Sequence, residues 1–146
     1  MTDETKETFE LYKLYLATAE KVSDRRNTAN VWMLSVNSAV ISLYGYLSSG
    51  KASVDDASRL TWQWAIPLAG ILICIAWQLL LRSYGQLNAA KFTVLQEMEV
   101  NMDQKVFTDE WAHLESNRRR DFHKLEGMIP MAFACLYILL LGAALL

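Results

Sequence analysis

The chain has 146 residues, 53% of them apolar and 21% charged, with a formal net charge of −2. That length allows one domain, and so balanced a charge excludes the broad basic face that nucleic acid requires. The apolar residues gather into three blocks free of Lys, Arg, Asp and Glu, at 31–47, 60–81 and 128–146, each near the ~17 to 25 residues that cross a bilayer as helix. The pattern predicts an all-α membrane protein with three transmembrane helices. Its first stretch is polar and acidic rather than basic and then apolar, so a cleaved signal peptide is not expected.

From the start, 5–30 reads as a helix. Phe9, Tyr12, Leu16 and Ala19 recur at helical spacing, as do Leu11, Tyr15 and Val22, which gives a broad apolar face for packing on another helix. Arg25 and Arg26 stand just before the first span. That span, 31–47, is the shortest and most polar of the three, and for that reason the one expected to be hidden from lipid. Asn30 and Asn37, seven apart, share a face that Tyr44 continues, while Ser35, Ser38, Ser42 and Gly45 form a second stripe. In lipid, small residues allow close helix approach and Ser or Asn hydrogen-bonds across the contact. The same groups suit a water-filled path, and Asn30, Asn37, Ser38 and Tyr44 are the candidate lining residues.

The link around 47–59, with Ser48, Ser49, Gly50, Ser53, Asp55 and Asp56, reads as a short turn between antiparallel spans. Its acidic pair is expected to be solvated rather than to hold a cation. Trp62 and Trp64 fit the aromatic belt at a membrane interface, and Pro67 removes one backbone donor from the second span. Gly70 with Cys74, and Ala65 with Ala69, are small-xxx-small pairs.

No breaker follows Pro67, so the span is expected to continue as one helix through an amphipathic extension over 82–102. Leu87, Val94, Leu95, Met98 and Met102 recur there at spacings of three and four. Leu87, Lys91, Val94 and Met98 are candidate oligomer contacts, and Lys91 reads as a helix or subunit contact rather than a catalytic base. After a break at 101–104, Thr108 is the expected N-cap of a helix over 108–126, with Asp109 and Glu110 in its first turn. Trp111 on its apolar side is a further oligomer-contact candidate. The last span has Pro130 near its start and Tyr137 as its only hydrogen-bonding side chain besides the Cys135 thiol. It reads as the lipid-facing helix.

Basic residues concentrate in 1–30 and 82–127, with only Lys51 and Arg59 in the short link. By the positive-inside rule the N-terminus and 82–127 lie in the cytoplasm, and the link and C-terminus outside. Arg25, Arg26, Arg82, Arg118, Arg119, Arg120 and Lys124 then fall near one membrane face, where they are candidates for contact with anionic lipid headgroups. Nothing points to an enzyme. The chain has no Gly-rich phosphate loop, His-x-x-x-His pair or Cys-x-x-Cys motif. His113 and His123 are ten apart on different sides of a helix, and the spans contain no ionisable residue of the kind that marks intramembrane chemistry. No cofactor or metal is expected.

Short stretches along nearly the whole chain carry a resemblance: Tyr12-Lys13-Leu14-Tyr15, Ser23-Asp24-Arg25-Arg26 with Ala29-Asn30, Ser83-Tyr84 with Leu87-Asn88-Ala89-Ala90-Lys91-Phe92, Glu97-Met98-Glu99, Glu110-Trp111, and Glu126 with Ile129-Pro130. In these the chain resembles the RipA-like family of small octameric bacterial membrane proteins. The resemblance implies a homo-oligomer, of eight subunits, in the bacterial inner membrane, with cytoplasmic helical segments contributing to assembly. A second likeness is to small two-span effectors of anti-phage defence that form pores on a nucleotide signal. This chain differs in its third span and lacks a fused sensor, which leaves a separate sensor partner as the expectation. Taken together, the long cytoplasmic helical extensions are expected to form a collar on a symmetric homo-oligomeric ring. That ring would enclose a pore or gated conduit; the alternative is a non-conducting, lipid-organising scaffold.

Overall fold

A computed structural model describes residues 3–52, 55–100, 102, 105–116 and 122–144. They form four helices and, among the described residues, no strand: α1 (Asp3–Ser48), α2 (Asp56–Glu99), α3 (Val106–Ser116) and α4 (Phe122–Ala143). Three of these are long and apolar enough to cross a membrane.

The first helix joins the expected 5–30 segment and the 31–47 span without a break, because neither Pro nor Gly occurs before Gly45. It ends where Ser49 donates its N–H to the Tyr46 carbonyl at 3.3 Å and Gly50 takes a left-handed φ of 73°, the conformation that glycine adopts without strain after a helix. Asp55 then opens α2. Its carboxylate accepts the Ser58 N–H at 3.2 Å and its carbonyl the Arg59 N–H at 2.9 Å, an N-cap. Pro67 lies buried inside α2, which continues for 44 residues in all.

Two boundaries differ from the sequence expectation. The helix expected from 108 starts earlier, at Val106, because the Lys105 carbonyl already accepts the Asp109 N–H at 2.9 Å, and it is described as far as Ser116. The last helix begins at Phe122, ahead of the span expected at 128, and takes in Glu126 and Gly127.

The chain divides into two compact units. The polar unit comprises 1–28 and 81–124, the membrane unit 29–80 and 125–146. In the polar unit Ala19, Val22, Leu81 and Leu95 are buried, and Phe107 meets Phe92 edge to face at 5.6 Å and Tyr12 at 6.4 Å. In the membrane unit the buried side chains include Ile66, Pro67, Cys74, Trp77, Pro130, Tyr137 and Asn37.

Burial is uneven among the spans. Only 6% of the most apolar window of α1 is buried, against 33% for α2 and 11% for α4. Within one protomer the first span is therefore the least covered of the three. In its span, α1 turns Asn37 inward, while Trp32 and Val36 are among the residues left exposed.

Candidate functional site

The membrane unit is held at one point by three helices. Asn37 of α1 is fully buried, and its amide N–H donates to the Met33 carbonyl at 2.8 Å, one turn back on its own helix. Its amide oxygen accepts the thiol of Cys74 from α2 at 3.4 Å, and its backbone carbonyl accepts the hydroxyl of Tyr137 from α4 at 3.3 Å. Gly70, one turn before Cys74, lies directly under the Tyr137 ring, and a Cβ placed there would overlap it. The small-xxx-small pair thus makes room for an aromatic ring rather than for a helix backbone. One turn beyond Cys74, the Trp77 indole donates to the Asn30 side-chain oxygen at 2.9 Å and lies 6.3 Å from the Phe133 ring. Every polar group here is neutral, as a lipid-surrounded core demands.

The polar unit has a corresponding point built on a charge. Glu99, the last residue of α2, is fully buried. One carboxylate oxygen accepts the Phe107 N–H and the Tyr12 hydroxyl, the other the Thr108 N–H and Thr108 hydroxyl, all at 2.9 Å. Burial alone pushes this carboxyl up, but these bonds together outweigh it and hold the group below its ordinary value. Burial, with the bond to Glu99, pushes the Tyr12 phenol up to about 12, so it keeps the proton that it donates. The backbone donors are orphans of the first turn of α3, so a side chain from α2 caps α3 and binds the positive end of its dipole. Thr108, expected as the N-cap, sits inside that first turn and adds its hydroxyl to the same carboxylate. Nearby, Lys91 donates to the Thr18 hydroxyl at 2.9 Å and lies 4.7 Å from the Tyr15 ring centre, a cation–π contact.

A family model covers residues 9–146, nearly the whole chain, and describes the octameric membrane protein family. The chain belongs to that family. Membership makes it a membrane protein of a self-associating kind, in agreement with the resemblance read from its short sequence stretches. No curated protein and no solved structure matches it.

Against that octameric family, the predicted site residues fall into three groups. Asn37 is turned into the protomer, and Asn30 is half-buried and bonded to Trp77. The amide oxygens of both are engaged by α2 of the same protomer, so each ties α1 to α2. Ser38 is exposed and donates back to the Leu34 carbonyl at 2.9 Å, and Tyr44 is half-buried in a surface cleft with Arg59 and Trp62. Ser35 and Ser42 are likewise exposed, with hydroxyls bonded one turn back.

Among the oligomer-contact candidates, Leu87 is exposed, Val94 and Met98 are half-buried, and Lys91 is taken up by α1 of its own protomer. Of the two readings of Lys91, a helix or a subunit contact, the Thr18 bond is the first. Arg25 and Arg82 are exposed, while Arg26 is half-buried and its guanidinium is held below the ordinary value by that burial. Arg118, Arg119 and Arg120 and the side chains of Trp111 and Lys124 lie outside the described residues. Among the described residues no cluster of metal-ligating side chains occurs. Sequence reasoning missed Glu99 as a site residue, although Asn88, Phe92 and Leu95 lead to it at spacings of four, three and four.

Proposed function

We propose that this chain is a non-enzymatic, lipid-organising scaffold of the bacterial inner membrane, built as a closed octameric ring with the polar unit on the cytoplasmic side. The observation that carries this reading is the destination of the first span's polar groups. Asn30 and Asn37 face into the protomer and are bonded there, so the strongest candidates for a water path serve to lock helices. What α1 leaves exposed is a surface of small and apolar residues, Val31, Ser35, Ser38 and Ser42 among them, suited to close packing between copies. The octameric family name supports the self-association, and the balance of basic residues supports the orientation.

A second reading, a gated conduit in stress or defence with a separate sensor partner, draws on the same serines. Their hydroxyls donate to their own helix, yet each oxygen keeps acceptor capacity that could face water. Cryo-electron microscopy in lipid nanodiscs, paired with flux from protein-loaded liposomes, separates the two. The scaffold predicts lipid in the centre of the ring and no flux at any potential. A hydrated lumen lined by Ser35, Ser38 and Ser42, with flux abolished by Ser38→Leu, would overturn it in favour of the conduit.

A further inference from the structure

At the end of the membrane unit that holds the short link, the last turns of α1 and the first turns of α2 enclose a cleft open to the surface. Tyr44 and Leu47 line it from α1, and Arg59, Trp62, Gln63 and Ile66 from α2. Leu47 and Ile66 give it apolar walls, Tyr44 and Gln63 bring polar ends, and among the described lining residues Arg59 brings the one charge. The Arg59 Nε is buried and has no hydrogen-bond partner. Asp55, four residues earlier, directs its carboxylate to the Ser58 N–H instead. A guanidinium with an unsatisfied buried N–H is costly to leave so, and its planar fork matches a phosphate.

We infer that this cleft is a phospholipid site, in which Arg59 holds the phosphate and the acyl chains leave along the apolar surface of α2. The position decides between a lipid and a soluble anion. Arg59 stands one residue before the charge-free run at 60–81, and Trp62 beside it is half exposed, at 48%, as aromatic side chains are at headgroup level. An apolar wall next to the cation would gain nothing from inorganic phosphate but would cover the first methylenes of a lipid. The site is separate in sequence from the basic residues of 1–30 and 82–127, and it holds whether or not the assembly conducts.

The test is a titration of the delipidated, detergent-purified protein with phosphatidylglycerol, read as bound lipid per subunit by native mass spectrometry. Arg59→Gln is expected to weaken the tightest site about tenfold, and Arg59→Lys by less, since an ammonium keeps the charge but not the fork. Arg82→Gln, at the far end of the same span, should leave that site unchanged. Full binding in Arg59→Gln overturns the proposal. If Arg59→Gln does not assemble, Arg59→Lys decides alone, and unchanged affinity in it has the same meaning. Displacement of the lipid by an equal concentration of glycerophosphate would show an anion site without a lipid component and would also overturn it.

Discussion

The two units solve one problem, fastening three helical segments at a point, with opposite chemistry. In the membrane unit Asn37, Cys74 and Tyr137 are neutral, their bonds run from 2.8 to 3.4 Å, and Gly70 contributes only the absence of a side chain. In the polar unit a single buried carboxylate, Glu99, gathers four donors at 2.9 Å. Water explains the difference. An unfolded polar unit can hydrate Glu99, so the cost of burying it is offset only by strong, charge-assisted bonds. A charge at the Asn37 position would have no such alternative state in lipid. The lesson is that the membrane unit derives its specificity from shape and the polar unit from charge.

The comparison can be broken most severely at Glu99. Hydrogen bonds to a charged group contribute roughly 1.5 to 3 kcal/mol each but are not additive, so Glu99→Ala should cost the polar unit about 3 kcal/mol. Hydrogen exchange over 105–116 should rise sharply while the membrane unit is unchanged; equal exchange in both proteins would remove Glu99 from its place as the cap of α3. The same group sets a pH dependence. Because its folded value lies below that of the unfolded carboxyl, its contribution is complete at neutral pH. It is lost as pH falls from the ordinary range of about 4.3 through the folded value. Protection of α3 should follow that course, and Glu99→Gln should remove this group's share of the slope.

Gly70→Ala tests the shape side. A methyl group driven into the Tyr137 ring should cost about 2 kcal/mol as overpacking, seen as a lower melting temperature in detergent. Shape is the cause only if Tyr137→Ala in the same chain relieves much of the loss. Asn37→Leu should have the smallest effect, about 1 kcal/mol, as polar contacts between membrane helices do. A much larger loss would mean that the neutral bonds carry more than the packing around them, and the contrast between the units would narrow.

How far the chain could be read depended on whether a feature was local. The three spans were legible because charge-free runs leave few alternatives, and the α2 continuation was legible because no breaker follows Pro67. Gly70 and Cys74 showed a place of close approach, though not that an aromatic ring from α4 would fill it. The polar residues of the first span stood out as unusual, but their direction did not. Asn37 finds its thiol partner 37 residues on and its tyrosine 100 residues on, and periodicity says nothing of such distances. Glu99 was obscured by its own charge. It ends an apolar stripe through Phe92 and Leu95, and a carboxylate at that place reads as the exposed end of a helix until the donors of α3 are seen to converge on it. For the same reason Thr108 reads from the sequence as the cap, a role that Glu99 of α2 fills.

The separation of these partners along the chain also bears on the order in which the protein can be made. Among the described residues, the hydrogen-bond partners of the Glu99 carboxylate are Tyr12, Phe107 and Thr108, none later in the chain than Thr108. That fastening is available to a nascent chain before any of α4 has left the ribosome. The Tyr137 hydroxyl, and the ring that covers Gly70, arrive last. Insertion of the final span therefore closes a membrane unit whose first two helices can already be joined through Asn37 and Cys74.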